Sequence, residues 1–228
     1  MSTSGGGTVN GVLDVIMLAC AVRAAAVLLG AGIGRLLRRP PVAAIALWLV
    51  VAVPSLLQIG FPGLLPRLER DPGLIRADGQ WWRLVTSVVV QDGGVAGTVF
   101  NLVVLAVIAV VAVRAWGAGR TLIIFAAGVV AFNLAATFAW PSGGAGNSAA
   151  TFVLAASVTG LALTAARQRI TILLAAVTAA CGIVLLVLGD LHGAAMIGGL
   201  VAGLLVSAVS PPAAIVTPAA RGRPGPGR

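Results

Sequence analysis

The apolar positions of this chain fall in long unbroken runs, and its polar residues collect at the ends of those runs. Nothing in them alternates as a half-buried strand would, so they read as helices that are apolar all round. The pattern predicts six, over about 42–59, 95–115, 120–140, 148–166, 170–188 and 192–209. Each approaches the ~20 residues needed to cross the hydrocarbon of a bilayer. An earlier apolar stretch, 11–34, is interrupted by Asp14 and Arg23 and followed by Arg35, Arg38 and Arg39. No basic segment precedes it, which argues against a signal peptide; it reads as an extra span or a membrane-associated helix. A long polar stretch, 60–94, carries Pro62, Pro66, Asp71-Pro72-Gly73 and Trp81-Trp82, and the other connections are short. The chain therefore divides into an N-terminal segment 1–41, a six-span domain 42–209, and a Pro/Gly/Arg-rich tail 210–228 that reads as disordered.

Composition strengthens this reading. The chain is 59% hydrophobic and 9% charged, with mean hydropathy +1.07. A soluble domain carries roughly 25% charged residues. In lipid every backbone group needs an internal partner, so an all-α integral membrane bundle is expected. The net charge of +9 comes from arginine without lysine. It does not point to nucleic acid, because Arg35, Arg38, Arg39, Arg114, Arg120, Arg167, Arg169, Arg221, Arg223 and Arg228 all fall on one side of an alternating six-span topology. The positive-inside rule makes that side cytoplasmic, with the C-terminus on it. Abundant Ala, Gly and Val without Lys suits a GC-rich genome and a bacterial plasma membrane. Cys20 and Cys181 lie in apolar runs and read as packing residues; no Cys/His/Asp/Glu cluster suggests a metal, and no cofactor is expected.

The candidate chemistry lies at the outer ends of the spans. Gly143-Gly144-Ala145-Gly146-Asn147-Ser148 brings a serine to the start of the fourth span, and the only histidine, His192, opens the sixth. Those spans run parallel, so the two side chains reach one depth. A serine hydroxyl is a poor nucleophile without a base near enough to take its proton, and an imidazole suits that task. Each residue also has an ordinary reading: Ser148 as a helix N-cap, His192 as a wetted loop residue. Asn101, in the outer half of the second span, can donate to an oxyanion or simply join two helices. Trp81 and Trp82 suit an interfacial anchor. Asp190 and Asn133 read as a water-facing loop residue and an interhelical hydrogen-bonding group; an orienting carboxylate is the second reading for Asp190.

Taken in order over residues 42–209, these motifs resemble the rhomboid family of intramembrane serine proteases. Gly79-Gln80-Trp81-Trp82-Arg83-Leu84-Val85-Thr86-Ser87 is similar to the family's Trp-Arg segment, and Thr98-Val99-Phe100-Asn101-Leu102 to its second-span motif. Gly117 and Arg120 resemble its cytoplasmic turn, and Gly146-Asn147-Ser148 its Gly-x-Ser motif. Phe152 stands where the family places a ring against its histidine, and Ala195, Gly199 and Gly203 follow His192 as the family's small residues do. The resemblance implies a six-helix rhomboid-like bundle, catalytic Ser148 and His192, and Asn101 at the oxyanion. It implies transmembrane proteins as substrates. The family's two second-span histidines are replaced by Asp92 and Gly97, and the glycine after the nucleophile by Ala149. A register starting at Met196 fits the small residues as well, and would leave His192 out of reach of Ser148. The expected function is a Ser–His intramembrane endopeptidase. The alternative is an inactive rhomboid-like pseudoprotease that binds membrane helices, with a small transporter a third choice.

Overall fold

The computed structural model describes residues 7–210, all of them helix, turn or loop apart from one isolated backbone bridge. The predicted tail lies almost wholly outside the described residues. Among the described residues, seven helices are long and apolar enough to cross a membrane. They are α1 (Thr8–Leu29), α3 (Val42–Gly60), α7 (Gly94–Trp116), α8 (Ala118–Leu134, continued by a π turn to Ala139), α9 (Ser148–Ala165), α10 (Arg169–Val187) and α11 (His192–Val209). At about 1.5 Å per residue, 18 to 23 residues give lengths near the ~30 Å of a hydrocarbon core. The six predicted spans fall within two residues of helices α3 and α7–α11, counting the π turn Ala135–Ala139 with α8. The stretch 11–34, which the sequence left open, is the full-length helix α1 followed by the short α2 (Ile33–Leu37).

Helix α9 is the centre of the bundle: 72% of its span is buried, against 28 to 44% for every other span. Its sequence explains this. Small residues such as Ala149, Ala150, Ala155, Ala156, Ser157, Gly160 and Ala162 let neighbours approach on all sides. Helix α11 makes the closest approach. A Cβ on Gly160 would overlap the Leu200 carbonyl, one on Gly199 the Val153 backbone, and one on Gly203 the Ser157 carbonyl. A similar contact joins α10 to α11 through Gly182 and Gly193, next to His192. Helix α1 lies in the seam between α7 and α10 and packs on α9. Trp116 seals the other end of α7 against α9, donating from Nε1 to Ser157 Oγ at 3.1 Å.

One end of the bundle carries Arg35, Arg38, Arg39, Arg114, Arg120, Arg167 and Arg169. There Arg114 donates to the carbonyls of Arg38 and Arg39 at 2.8 and 3.1 Å, and Arg120 to Ser210 Oγ at 2.7 Å. The opposite end is capped by the stretch after α3, which folds into α4 (Leu64–Leu68), α5 (Pro72–Asp78), α6 (Arg83–Thr86) and a 3₁₀ turn, Ser87–Val89. Local chemistry sets these bounds. Asp71 caps α5 by accepting from the N–H groups of Gly73 and Leu74, Pro72 takes the first turn, and Gly79 ends it in the left-handed region at φ 66°. Arg83 is buried and ties the cap together, donating to Gln80 Oε1 at 2.7 Å and to the carbonyls of Glu69 and Pro66 at 2.8 and 3.0 Å. Trp81 and Trp82 are more than half exposed, as expected of interfacial anchors.

Candidate active site

At the capped end, the first residues of α9 and α11 face each other. Ser148 Oγ lies 2.9 Å from His192 Nε2. The glycine contacts between the two helices hold this separation from below. Phe152, one turn along α9, sets its ring edge-on to the imidazole with centroids 5.1 Å apart. Phe132 of α8 lies nearly parallel to it at 6.3 Å. Ser148 is not a cap: it is the first helical residue of α9, and Asn147 occupies the cap position without a side-chain cap bond. The first intrahelical bond is donated by the Thr151 N–H to Asn147 O, so the earlier N–H groups of α9 have no helical acceptor.

Between Ser148 and α7 the backbone leaves space because of one glycine. Gly146 sits at φ 139°, and a Cβ there would stand 3.2 Å from Gln91 Oε1, 3.5 Å from Asn101 Nδ2 and 3.8 Å from Ser148 Oγ. That volume is bounded by the Ser148 hydroxyl, the Asn101 amide donor and the amide oxygen of Gln91. A cavity of about 20 Å³ adjoins it, lined by Arg70, Phe132, Ala145, Gly146, Ser148, Ala149 and His192. It has room for one water molecule.

A polar network holds Asn101 in place, and its hub, Gln91, was not singled out in the sequence. Gln91 is almost fully buried. Its Oε1 accepts from Asn101 Nδ2 at 2.8 Å, while Nε2 donates to Asn147 Oδ1 at 3.0 Å and Ser55 Oγ at 3.1 Å. Gln58 clamps its backbone from both sides. The Asn101 amide has two N–H bonds, so one is left for another acceptor. Gln91→Leu is expected to leave Asn101 and Asn147 under-satisfied, costing about 1–3 kcal/mol of stability. Thermal unfolding of the purified protein measures it.

Arg70 was also missed. The stretch 60–94 holds Arg67, Arg70, Arg76 and Arg83 on the predicted outer side, and nothing in the sequence separates Arg70 from the other three. The Arg70 side chain is buried, donates to the carbonyls of Ser142 and Gly143 and to Asn133 Oδ1, and lies 5.5 Å from the Phe132 ring centroid. Its backbone pairs both ways with Gly144, pinning the glycine-rich loop. Burial pulls its pKa down to about 10, with Asp92 opposing, so it remains a cation at neutral pH. Asn133 accepts from Arg70 and donates to Leu84 O, a joining role of the kind expected.

Asp190 departs from its first reading. It does not face water: the carboxylate is buried, and Oδ1 lies 2.9 Å from His192 Nδ1. It is placed there by the tight turn between α10 and α11, in which Gly189 takes φ 80° and the His192 N–H bonds Asp190 Oδ1 at 2.9 Å. Burial raises its pKa, but the hydrogen bonds and charge of His192 outweigh this and hold the carboxyl below its ordinary range. Among the described residues no group of three or more His, Cys, Asp or Glu is arranged to hold a metal.

The rhomboid-domain family model matches residues 78–212, more than half of the chain. The chain belongs to the rhomboid family. It is an integral membrane protein of all-α, rhomboid-like architecture. No match was found among curated proteins or among solved structures. Helices α1 and α3 precede the matched residues of this rhomboid. Its departures from the family pattern are accommodated locally. Asp92 accepts the Ala145 N–H at 2.9 Å and so steadies the loop before Ser148. Gly97 has open space beside its Cα, where the family carries a histidine.

Proposed function

We propose that this rhomboid is an active intramembrane serine endopeptidase that cleaves transmembrane segments of other membrane proteins. The observation that carries this reading is the 2.9 Å separation of Ser148 Oγ and His192 Nε2, on two helices whose spacing is fixed by glycine contacts. In the proposed reaction His192 Nε2 takes the proton of Ser148 as Oγ attacks the scissile carbonyl. The oxyanion forms near Gly146, where Asn101 Nδ2 and the N–H groups at the start of α9 are the donors. The cation of Arg70, on the wall of the adjoining cavity, favours the same negative charge. His192 then protonates the leaving amine, and a water deprotonated by His192 hydrolyses the acyl-enzyme. Acyl transfer by serine and imidazole requires no cofactor. The substrate reaches the site as a helix unwound at its outer end, with the end of the bundle that carries Arg38, Arg39, Arg114 and Arg120, and the C-terminus, on the cytoplasmic side.

The replacement of two family histidines by Asp92 and Gly97 favours a second reading, a pseudoprotease that binds membrane helices without cutting them. Labelling of the detergent-solubilised full chain by a fluorophosphonate separates the two. Labelling of the wild type supports the protease; a well-folded wild type that takes no label supports the pseudoprotease. In the first case Asn101→Ala is expected to slow labelling about 100-fold, the usual scale for loss of one oxyanion donor.

A further inference from the structure

Helix α1 lies outside the matched family domain, yet it reaches the catalytic histidine. Asn10, in its first turn, is buried and donates from Nδ2 to Asp190 Oδ2 at 2.9 Å, across 180 positions of chain. The other oxygen, Oδ1, lies 2.9 Å from His192 Nδ1. His192 Nε2 in turn lies 2.9 Å from Ser148 Oγ. One continuous line of contacts therefore runs Asn10–Asp190–His192–Ser148, with every member but Ser148 buried. Asp14, one turn deeper on α1, adds a second carboxyl, whose Oδ1 is buried without a hydrogen-bond partner.

We propose that Asp190 is the positioning carboxylate of His192, and that α1 holds it in place through Asn10. The proposal rests on the protease reading for its catalytic meaning, but its physical content does not. A neutral imidazole can carry its proton on either nitrogen. A carboxylate beside Nδ1 draws the proton there and leaves the Nε2 lone pair facing Ser148, the arrangement a general base needs. The Nδ1–Oδ1 contact is short but off the line of an ideal hydrogen bond. Resting sites often show such geometry, and it tightens when substrate binds. A carboxylate that only shaped the turn would accept the His192 backbone N–H and leave the ring tautomer unaffected.

The single histidine makes the test direct, because labelling histidine with ¹⁵N gives one pair of ring nitrogens in the full-length protein. At a pH where the imidazole is neutral, the wild type is expected to carry its proton on Nδ1. Asp190→Asn is expected to move the proton to Nε2 and to slow fluorophosphonate labelling by about 10⁴, as the same change does in soluble serine proteases. Asn10→Ala is expected to give a mixture of tautomers and about tenfold slower labelling, since it removes one hydrogen bond to a charged group. If Asp190→Asn does not fold, Asn10→Ala carries the same spectroscopic readout. A wild-type proton on Nε2, or a tautomer unchanged in the variants, overturns the proposal. A tautomer that follows Asp190 in a protein that takes no label upholds the positioning and defeats the protease reading instead.

Discussion

Ser148→Ala and His192→Ala are each expected to abolish fluorophosphonate labelling and cleavage of a reconstituted transmembrane substrate, and the double variant to lose no more than either alone. The physical reason is that the two groups perform one step. Without the imidazole, the hydroxyl has no acceptor for its proton at 2.9 Å; without the hydroxyl, the imidazole has nothing to activate. In soluble serine proteases such losses are of the order of 10⁶ and grossly non-additive. His192→Ala that labels like the wild type would remove His192 from the mechanism. The alternative register would not explain such labelling, because it puts the thioether of Met196, which cannot take the serine proton, at the functional position. That residue is fully buried in the bundle core.

Gly203→Leu is expected to abolish folding, and Gly203→Ala to slow labelling by about 100-fold while lowering stability by about 1–3 kcal/mol. Both follow from one contact. A Cβ on Gly203 would overlap the Ser157 carbonyl, and the obstructing atoms are backbone, which cannot rotate away. Helices α9 and α11 must then separate, and the Ser148–His192 distance opens with them. An error of about 1 Å in such a pair is enough for a loss of that size. Gly198→Ala is the internal control. It lies on the same helix but exposed, with nothing within 4 Å of a new Cβ, and is expected to be neutral. Reaction of a thiol dye with the buried Cys20 and Cys181 reports unfolding in each variant. Equal behaviour of Gly198→Ala and Gly203→Ala would mean that the glycine contact does not set the site.

What the sequence by itself determined is set by length and solvent. In lipid an apolar run near 20 residues has one good way to satisfy its backbone, so the spans could be read to within two residues of their helices. The spacing of Gly199 and Gly203 likewise announced a close helix contact, because only small residues permit one. The nucleophile, base and oxyanion candidates were legible because serine, histidine and asparagine are conspicuous in apolar surroundings. Tertiary structure decided the rest. Whether Asp190 met water or the imidazole depended on which helix covered the α10–α11 turn, and that helix, α1, comes from the far end of the chain. Gln91 and Arg70 sit in a stretch that reads as an ordinary polar loop, and only the folding of that stretch over α7 and α9 buries them beside Asn101 and Ser148. Hydrophobic periodicity records how each segment meets lipid; it carries no record of which polar groups meet one another once the segments have packed.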